Sequence, residues 1–572
     1  MTSRPTIMGL THAISAGHYL AAQVGFQILE AGGNAVDAGV AAGIVLGVVQ
    51  SDRVNFGGVA PQMIYLAGQK TIHCIDGVGP WPSAMTPDYF RTHHDGKIPL
   101  GVLRSVVPAA PSAWLLSLEK FGTLSFGEAA AAAIDLARNG FPMYPLMSGF
   151  IAKNQARYES YPSSRDIYII DGKPPKVGTR FVQADLAATL QYMVDEERAK
   201  AGEGRTAGLR AAHDAFYKGD IAGAIARFHA ESGGFVTRED LSAYQARFEE
   251  PVSARYRGID IFACGPWTQG PVVPMALRIL EGFDLRSMGH NSPEYIHCVT
   301  EALKLAFADR HHYFGDPAFV DVPMAALLSD DYTDYRRSKL SMDTACPGMP
   351  DPGDVVTRRD LPARWMPPPA DDDAAVPWGD TTHLCVVDRF GNAFSATPSD
   401  STATSPIIPG LGLVCSPRGL ASWADSTHPS SVAAGKRPRL TPNPAIAVKQ
   451  GELVMPFGSP GGDVQPQAML QVLLNRLVFG MEMQDAVEAP RFTSYSFPST
   501  FEPHQYYPGR LYLESRIEPA TAAALEGKGH RIYEWPEFSS VAGAVCAIHA
   551  DLRSGTLYAG ADPRRPSQAA AR

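Results

Sequence analysis

The chain has few cysteines and no pairing pattern among them. Seven are scattered at 74, 264, 298, 346, 385, 415 and 546, with no CxxC pair. An odd, dispersed set excludes a closed disulfide framework and predicts a reducing, cytoplasmic setting. Strong charge of either sign is also missing. A formal net charge of -9 with pI near 6.0 provides no basic field, which excludes nucleic acid and anionic membrane surfaces as partners. Long hydrophobic runs are absent too. The longest, "AGVAAGIVLGVV" at 38–49, is too short for a membrane span, and its small residues predict a buried helix packed closely on a neighbour. The first residues show no uninterrupted apolar segment of the kind a secretory signal requires. No internal repeat occurs. What is present is ordinary globular composition, 45% hydrophobic and 19% charged over 572 residues, enough for two or more domain-sized cores.

Local patterns predict helices and antiparallel strands in both halves. "GHYLAAQVGFQILEAGGN" is a periodic helix stopped by Gly-Gly, and "AVDAGVAAGIVLGVVQ" is a second, more apolar one. "PQMIYLAGQKTIHCID" reads as two short strands about a turn. Ser125 and Glu128 form a capping box for a helix ending at Asn139-Gly140. Helical patterns dominate 185–345, with one strand-like interruption at "YRGIDIFACG". Between about 347 and 380 Pro, Asp and Gly accumulate without periodicity, which predicts a flexible linker. Beyond it come three hairpins, "THLCVVDRFGNAFSATP", "PAIAVKQGELVMPFG" and "VAGAVCAIHADLRSGTLYAG", and the amphipathic helix "QPQAMLQVLLNRLVFGM". The pattern predicts layered α+β packing.

The linker runs directly into Gly379-Asp380-Thr381-Thr382-His383. A threonine hydroxyl is a poor nucleophile without a base. Cleavage of the Asp380–Thr381 bond would give Thr381 a free α-amino group, whose reference pKa of about 7.7–8.0 suits a base for the adjacent hydroxyl. The same five residues also read as the start of a strand, since Thr favours strands and Asp favours the loops before them. "FGSPGGDVQPQ" sets Gly461 and Gly462 between a strand and a helix, where backbone N–H groups can converge on an oxyanion; a tight turn needs glycines there as well.

Eight ordered blocks carry a resemblance. They are "ILEAGGNAVDAGVAAGIVLGVVQ", "LEKFGTLSFGEAAAAAIDLARNGFP", "GGFVTREDLSAYQARFEEP", "EALKLAFADRHHYFGDP", "GDTTHLCVVDRFGNAFS", "GKRPRLTPNPAI", "FGSPGGDVQPQ" and "AGADPR". Their order, from about residue 8 to 566, resembles the γ-glutamyltransferase family. The resemblance implies an amino-terminal-nucleophile (Ntn) hydrolase fold, a four-layer αββα sandwich. It also implies self-cleavage between Asp380 and Thr381 into a large subunit, 1–380, and a small one, 381–572, and leaves a dimer of such αβ units open. Thr381 would then attack a small-molecule amide while Gly461 and Gly462 hold the oxyanion, giving an acyl-enzyme. Ser399 stands where the family has a second threonine that places the new amino group, Ser401 lies over an Asn, and Leu440-Thr441 lies over a Ser-Ser pair. No cofactor and no metal is expected.

The donor site departs from the family. "IDGVGPWPSAMTPDYF" lacks the Arg that grips a γ-glutamyl carboxylate, and "GLVCSPRGLASW" has Arg418 but neither Asn-Gln nor a neighbouring acid. Arg418 resembles the Arg of acylase-like and amidohydrolase-like relatives and is either a ligand for a different carboxylated acyl group or a surface residue. The expected activity is amide hydrolysis without γ-glutamyl specificity. The alternatives are a γ-glutamyltransferase or glutathione hydrolase with an altered donor site, and an uncleaved binding or scaffold homologue. His311-His312 with Asp316, and His93-His94-Asp95, are ligand-type residues that adjacency directs apart rather than onto one metal. His383 reads as a packed core residue. Trp81, Trp378 and Trp423 either line an acyl pocket or are ordinary burial.

Overall fold

A computed structural model describes residues 2–371 and 380–572 of the chain. Two seven-stranded sheets form its centre. One sheet runs Ile7–Gly9, Thr556–Ala561, Cys546–Asp551, Leu453–Gly458, Ala445–Lys449, Ile259–Ala263 and Val252–Tyr256. The other runs Gln568–Ala571, Ala13–Ala16, Leu384–Val387, Ala393–Ala396, Gln62–Leu66, Thr71–Ile75 and Phe248–Glu249. Their facing sides share an apolar layer that includes Met63, Cys385, Val387, Ile446, Val454 and Ile548. The Ser15 hydroxyl donates across this layer to the Gly560 carbonyl at 2.8 Å. Helices cover both outer faces, so the architecture is the four-layer αββα sandwich of the Ntn-hydrolase type.

The outer helices form where the sequence patterns place them. Asn34 and Asp37 make a capping box for Ala35–Val49, and all fifteen residues of that helix are buried. Such a helix has no polar face and must be enclosed on every side. Gly39 and Gly43 allow this, since a Cβ would meet the Phe394 ring at 2.2 Å in the first case and the Trp114 ring at 2.6 Å in the second. On the opposite face Pro293–Tyr313 and Gln465–Leu477 bury nearly all of their residues against the other sheet.

The capping-box helix Phe126–Asn139 and the three carboxyl-terminal hairpins form as expected. Three differences stand out. "YRGIDIFACG" holds the expected strand, Ile259–Ala263, but it is the second half of a hairpin whose first strand, Val252–Tyr256, is not expected from the pattern. Ala13–Ala16 and Gln568–Ala571 are strands although alanine-rich segments have weak β preference; their ladder partners supply the stability. The stretch 347–371, expected as flexible linker, lacks regular structure but is tied down. Gly353 donates to Asp309 at 3.1 Å and its carbonyl accepts from Tyr313 at 2.7 Å, while Ala370 donates to the Tyr506 carbonyl at 2.8 Å.

Both sheets contain strands from before and after Thr381, so residue 380 is not a folding boundary. Leu384–Val387 pairs on one side with Ala13–Ala16 and on the other with Ala393–Ala396. Trp114→Ala is expected to lower the midpoint of chemical denaturation by the equivalent of about 3–5 kcal/mol, because it opens a cavity against Gly43. An unchanged midpoint would show that this helix is not enclosed as described.

Candidate active site

Thr381 precedes a central strand and is held by its backbone from several sides. Its N–H donates to the Arg53 carbonyl at 3.1 Å, and its carbonyl accepts from Arg565 Nη1 at 2.8 Å. Thr382 N–H donates to Pro398 at 3.1 Å, and the His383 carbonyl accepts from Gly17 at 2.9 Å. Within this clamp Thr381 takes φ +99°, a region unfavourable for a β-branched residue. Such strain costs roughly 1–3 kcal/mol and persists only where surrounding contacts enforce it. Thr381 is completely buried.

Its hydroxyl enters a charged network. Thr381 Oγ1 lies 2.6 Å from Ser399 Oγ and 3.3 Å from Asp380 Oδ1. Arg418 Nη2 donates to Asp380 Oδ1 at 2.8 Å and also to Ser399 Oγ, while Nε donates to Asp400. Asp380 Oδ2 accepts the Ser401 N–H at 3.0 Å. Since Ser399 Oγ accepts from Arg418, its own proton can go to Asp380 Oδ1, 3.2 Å away. Thr381 can then donate to Ser399, which gives its proton a two-step route to a carboxylate. Burial pushes Asp400 up to about 6, with Arg418 opposing and the Asp380 charge reinforcing the rise. Arg418 is thus fully buried rather than a surface residue, and Asp400, eighteen residues upstream, is the acid missing from its sequence neighbourhood.

The glycine pair belongs to a second group beside the first. Gly458 lies against the His383 ring, where a Cβ would fall 2.4 Å away, and the loop then reaches Gly461 at φ +123° and Gly462 at φ +61°. Gln269 Nε2 donates to the Gly462 carbonyl at 2.8 Å and to the Thr441 carbonyl at 3.0 Å. Thr441 therefore sits with the glycine loop and not with Arg418, its hydroxyl buried without a partner among the described residues. Gly462–Val464 is a short turn leading into the helix Gln465–Leu477. Phe501 stands between the groups, lining one small cavity with Gly461 and Gly462 and a larger one with Asp380, Ser401 and Arg418. His383 donates to or accepts from Thr397 Oγ1 at 3.0 Å, and burial pushes it down to about 3, so it is a neutral packing residue.

The larger cavity, about 840 Å³, has Asp380, Ser401 and Arg418 in its wall together with Arg104 and Glu502. Burial pushes Glu502 up to about 7, against the pull of Arg104 and Lys97. His93, His94 and Asp95 also line this cavity. Elsewhere Asp316 is committed to Arg437 at 2.8 Å and His311 Nε2 lies 3.1 Å from the Arg364 carbonyl, so those residues do not converge. Among the described residues one set of ligand-type groups does converge, His297, Glu301 and His530, but Lys304 already neutralises Glu301 at 2.7 Å. Trp81 is core, donating to Ser422 at 2.9 Å, and Trp423 stacks between His428 and His504 outside the Arg418 cavity. Trp378 lies outside the described residues. Sequence reasoning missed Asp400, the neighbouring pair Asp52 and Arg53, and Arg565, which follows "AGADPR" by one residue.

The gamma-glutamyltranspeptidase family model matches residues 21–572. The acylase ACY 1 proenzyme of Pseudomonas sp. (strain SE83) is 33% identical over 94% of this chain and 89% of its own. The glutathione hydrolase-like YwrD proenzyme of Bacillus subtilis (strain 168) is 30% identical over 98% of each chain. The crystal structure of a cephalosporin acylase from Bacillus halodurans superposes with a TM-score of 0.86 at 28% identity, over 100% of this chain and 98% of that one.

A Cβ on Gly17 would fall 1.9 Å from Thr382 Oγ1 and displace the residue next to Thr381. Gly17→Ala is therefore expected to slow any chemistry at Thr381 by about a hundredfold while leaving the circular dichroism spectrum unchanged. An unaffected rate would show that Thr382 is not part of the clamp.

Proposed function

The chain belongs to the gamma-glutamyltranspeptidase family, and from that premise we propose that Thr381 is the nucleophile of a self-processing amide hydrolase. The observation that carries this reading is the 2.6 Å contact between Thr381 Oγ1 and Ser399 at a buried, strained peptide bond. In processing, Thr381 Oγ attacks the Asp380 carbonyl carbon. Its proton passes by way of Ser399 and the Asp380 carboxylate to the departing nitrogen as the C–N bond breaks and an ester forms. Water then cleaves the ester, leaving an α-carboxyl group on Asp380 and both hydroxyl and amino groups on Thr381. The pieces 1–380 and 381–572 stay together because both contribute strands to each sheet.

In turnover the free amino group, with its reference pKa of about 7.7–8.0, takes the proton from the same hydroxyl. Thr381 Oγ adds to a substrate amide, the N–H groups of Gly461 and Gly462 receive the oxyanion, and the amine departs with the proton. Water releases the acid; an amine in its place would give transfer. Arg418 is the ligand for a carboxylate on the acyl group, with Ser401 beside it. A γ-glutamyl donor would find no Arg in residues 75–90 for its carboxylate, and Asp400 is already engaged by Arg418. Acylase and amidohydrolase names among the relatives support this specificity over glutathione-type transfer.

Denaturing electrophoresis of active protein should give two bands, the lighter beginning Thr-Thr-His-Leu; one intact band with full activity would refute the mechanism. Thr381→Ala should leave a single band and lower amide hydrolysis by about a thousandfold or more. Binding of a carboxylated inhibitor should weaken by about tenfold as pH rises through about 7, because Glu502 ionises there and adds negative charge to the Arg418 cavity. Glu502→Gln should remove that step, and its persistence would assign it to another group.

A further inference from the structure

The charges around the Asp380–Thr381 peptide are matched in the uncleaved chain. Three buried guanidinium groups, of Arg53, Arg418 and Arg565, accompany three carboxylates, of Asp52, Asp380 and Asp400. Departure of Asp380 would remove one carboxylate and create the Thr381 amino group, leaving the site with excess positive charge. An anion that enters afterwards restores the match, and burying an uncompensated charge is costly.

The Asp380 carboxylate already shows where such an anion is held. It accepts from Arg418 Nη2 at 2.8 Å, from Ser399 Oγ at 3.2 Å and from the Ser401 N–H at 3.0 Å, and lies 3.3 Å from Thr381 Oγ1. Arg418 Nη1 is buried without a partner among the described residues, so a second donor is at hand for bidentate contact. In the reaction proposed above, Thr381 Oγ forms an ester first with the Asp380 carbonyl and later with the substrate carbonyl. The reach from reacting carbon to anion site is therefore measured by the aspartate itself: its carboxyl carbon is separated from its carbonyl carbon by Cα and Cβ, as the two carbonyl carbons of a succinyl group are by two methylenes.

We propose that the Asp380 side chain is a place-holder for the substrate, filling the anion subsite that a succinyl-type acyl group enters once the chain is cleaved. This rests on Thr381 being the nucleophile. The reaction converts a succinyl monoamide and water into succinate and an amine, by ester formation on Thr381 with loss of the amine and then hydrolysis of the ester. Oxalyl and malonyl amides are too short to reach Arg418 from the ester position, and glutaryl and adipyl amides must fold to fit.

A series of anilides from oxalyl through adipyl, with acetyl as the uncharged control, tests the reach on the processed enzyme. The succinyl compound should have the highest kcat/KM, about tenfold or more above its neighbours and the acetyl control. A maximum at another length, or acetyl turnover equal to succinyl, overturns the inference. Calorimetry with succinate gives an independent reading. Succinate should bind the processed enzyme and should not bind the uncleaved Thr381→Ala chain, whereas formate, which matches only the vacated carboxylate, should bind the Thr381→Ala chain that also carries Asp380→Ala. Binding to the Thr381→Ala chain with Asp380 in place would refute the place-holder. Protein that is cut before Thr381 and hydrolyses anilides with a different preference would sink this inference alone. Protein that stays uncut yet hydrolyses them would sink the nucleophile assignment as well.

Discussion

A fully buried guanidinium must meet carboxylates or forfeit its hydration uncompensated, and Arg418 meets two. This constraint organises the site. Asp400 holds Nε from behind, Asp380 holds Nη2 in front, and Ser399 is drawn against Thr381 because it serves the same guanidinium. The partners differ in permanence under the proposed processing. Asp400 lies within the small piece with Arg418, whereas Asp380 is the last residue of the large one. A strong interaction is thereby placed on the one residue that is to leave, and the vacated donors are what a substrate meets.

The sheets explain how a cut at that position can leave the site intact. Each sheet takes strands from both sides of Thr381, and the helical layer built on Pro293–Tyr313 and Gln465–Leu477 takes helices from both sides, so the segments before and after Thr381 share one core. Separating them would expose the apolar layer between the sheets and break the ladders of Leu384–Val387 with Ala13–Ala16 and of Ala393–Ala396 with Gln62–Leu66. The Arg53 carbonyl and the Arg565 guanidinium, one from before and one from after Thr381, hold the Thr381 main chain from opposite ends. The rigidity around Thr381 is thus a property of the whole sandwich and not of the segment on either side of residue 380.

Local signals were legible where a short stretch satisfies its own hydrogen bonds. The capping boxes at Asn34 and Ser125 and the hairpin turning at Asp388–Gly391 are closed within a few residues of chain. Elements made by distant partners were not. Ala13–Ala16 looks indifferent in isolation and becomes a strand between Leu384–Val387 and Gln568–Ala571. The stretch 347–371 has a linker's composition, yet Asp309, Tyr313 and Tyr506 hold it by single polar contacts that no periodicity announces.

The sequence by itself determined the chemistry available at the junction and the family to which it belongs. Threonine after a cleavable bond, a glycine pair before a helix, and a lone arginine in place of the usual donor-binding groups are all matters of residue type and order. Only the tertiary structure decided what Arg418 faces, that Thr441 sits with the glycine loop, and that Asp380 fills an anion site opening on a cavity. The reason is that electrostatic energy depends on distance through space. Asp400, Arg418 and Asp380 are separated by many residues in the chain, and folding alone brings their charges within hydrogen-bonding reach.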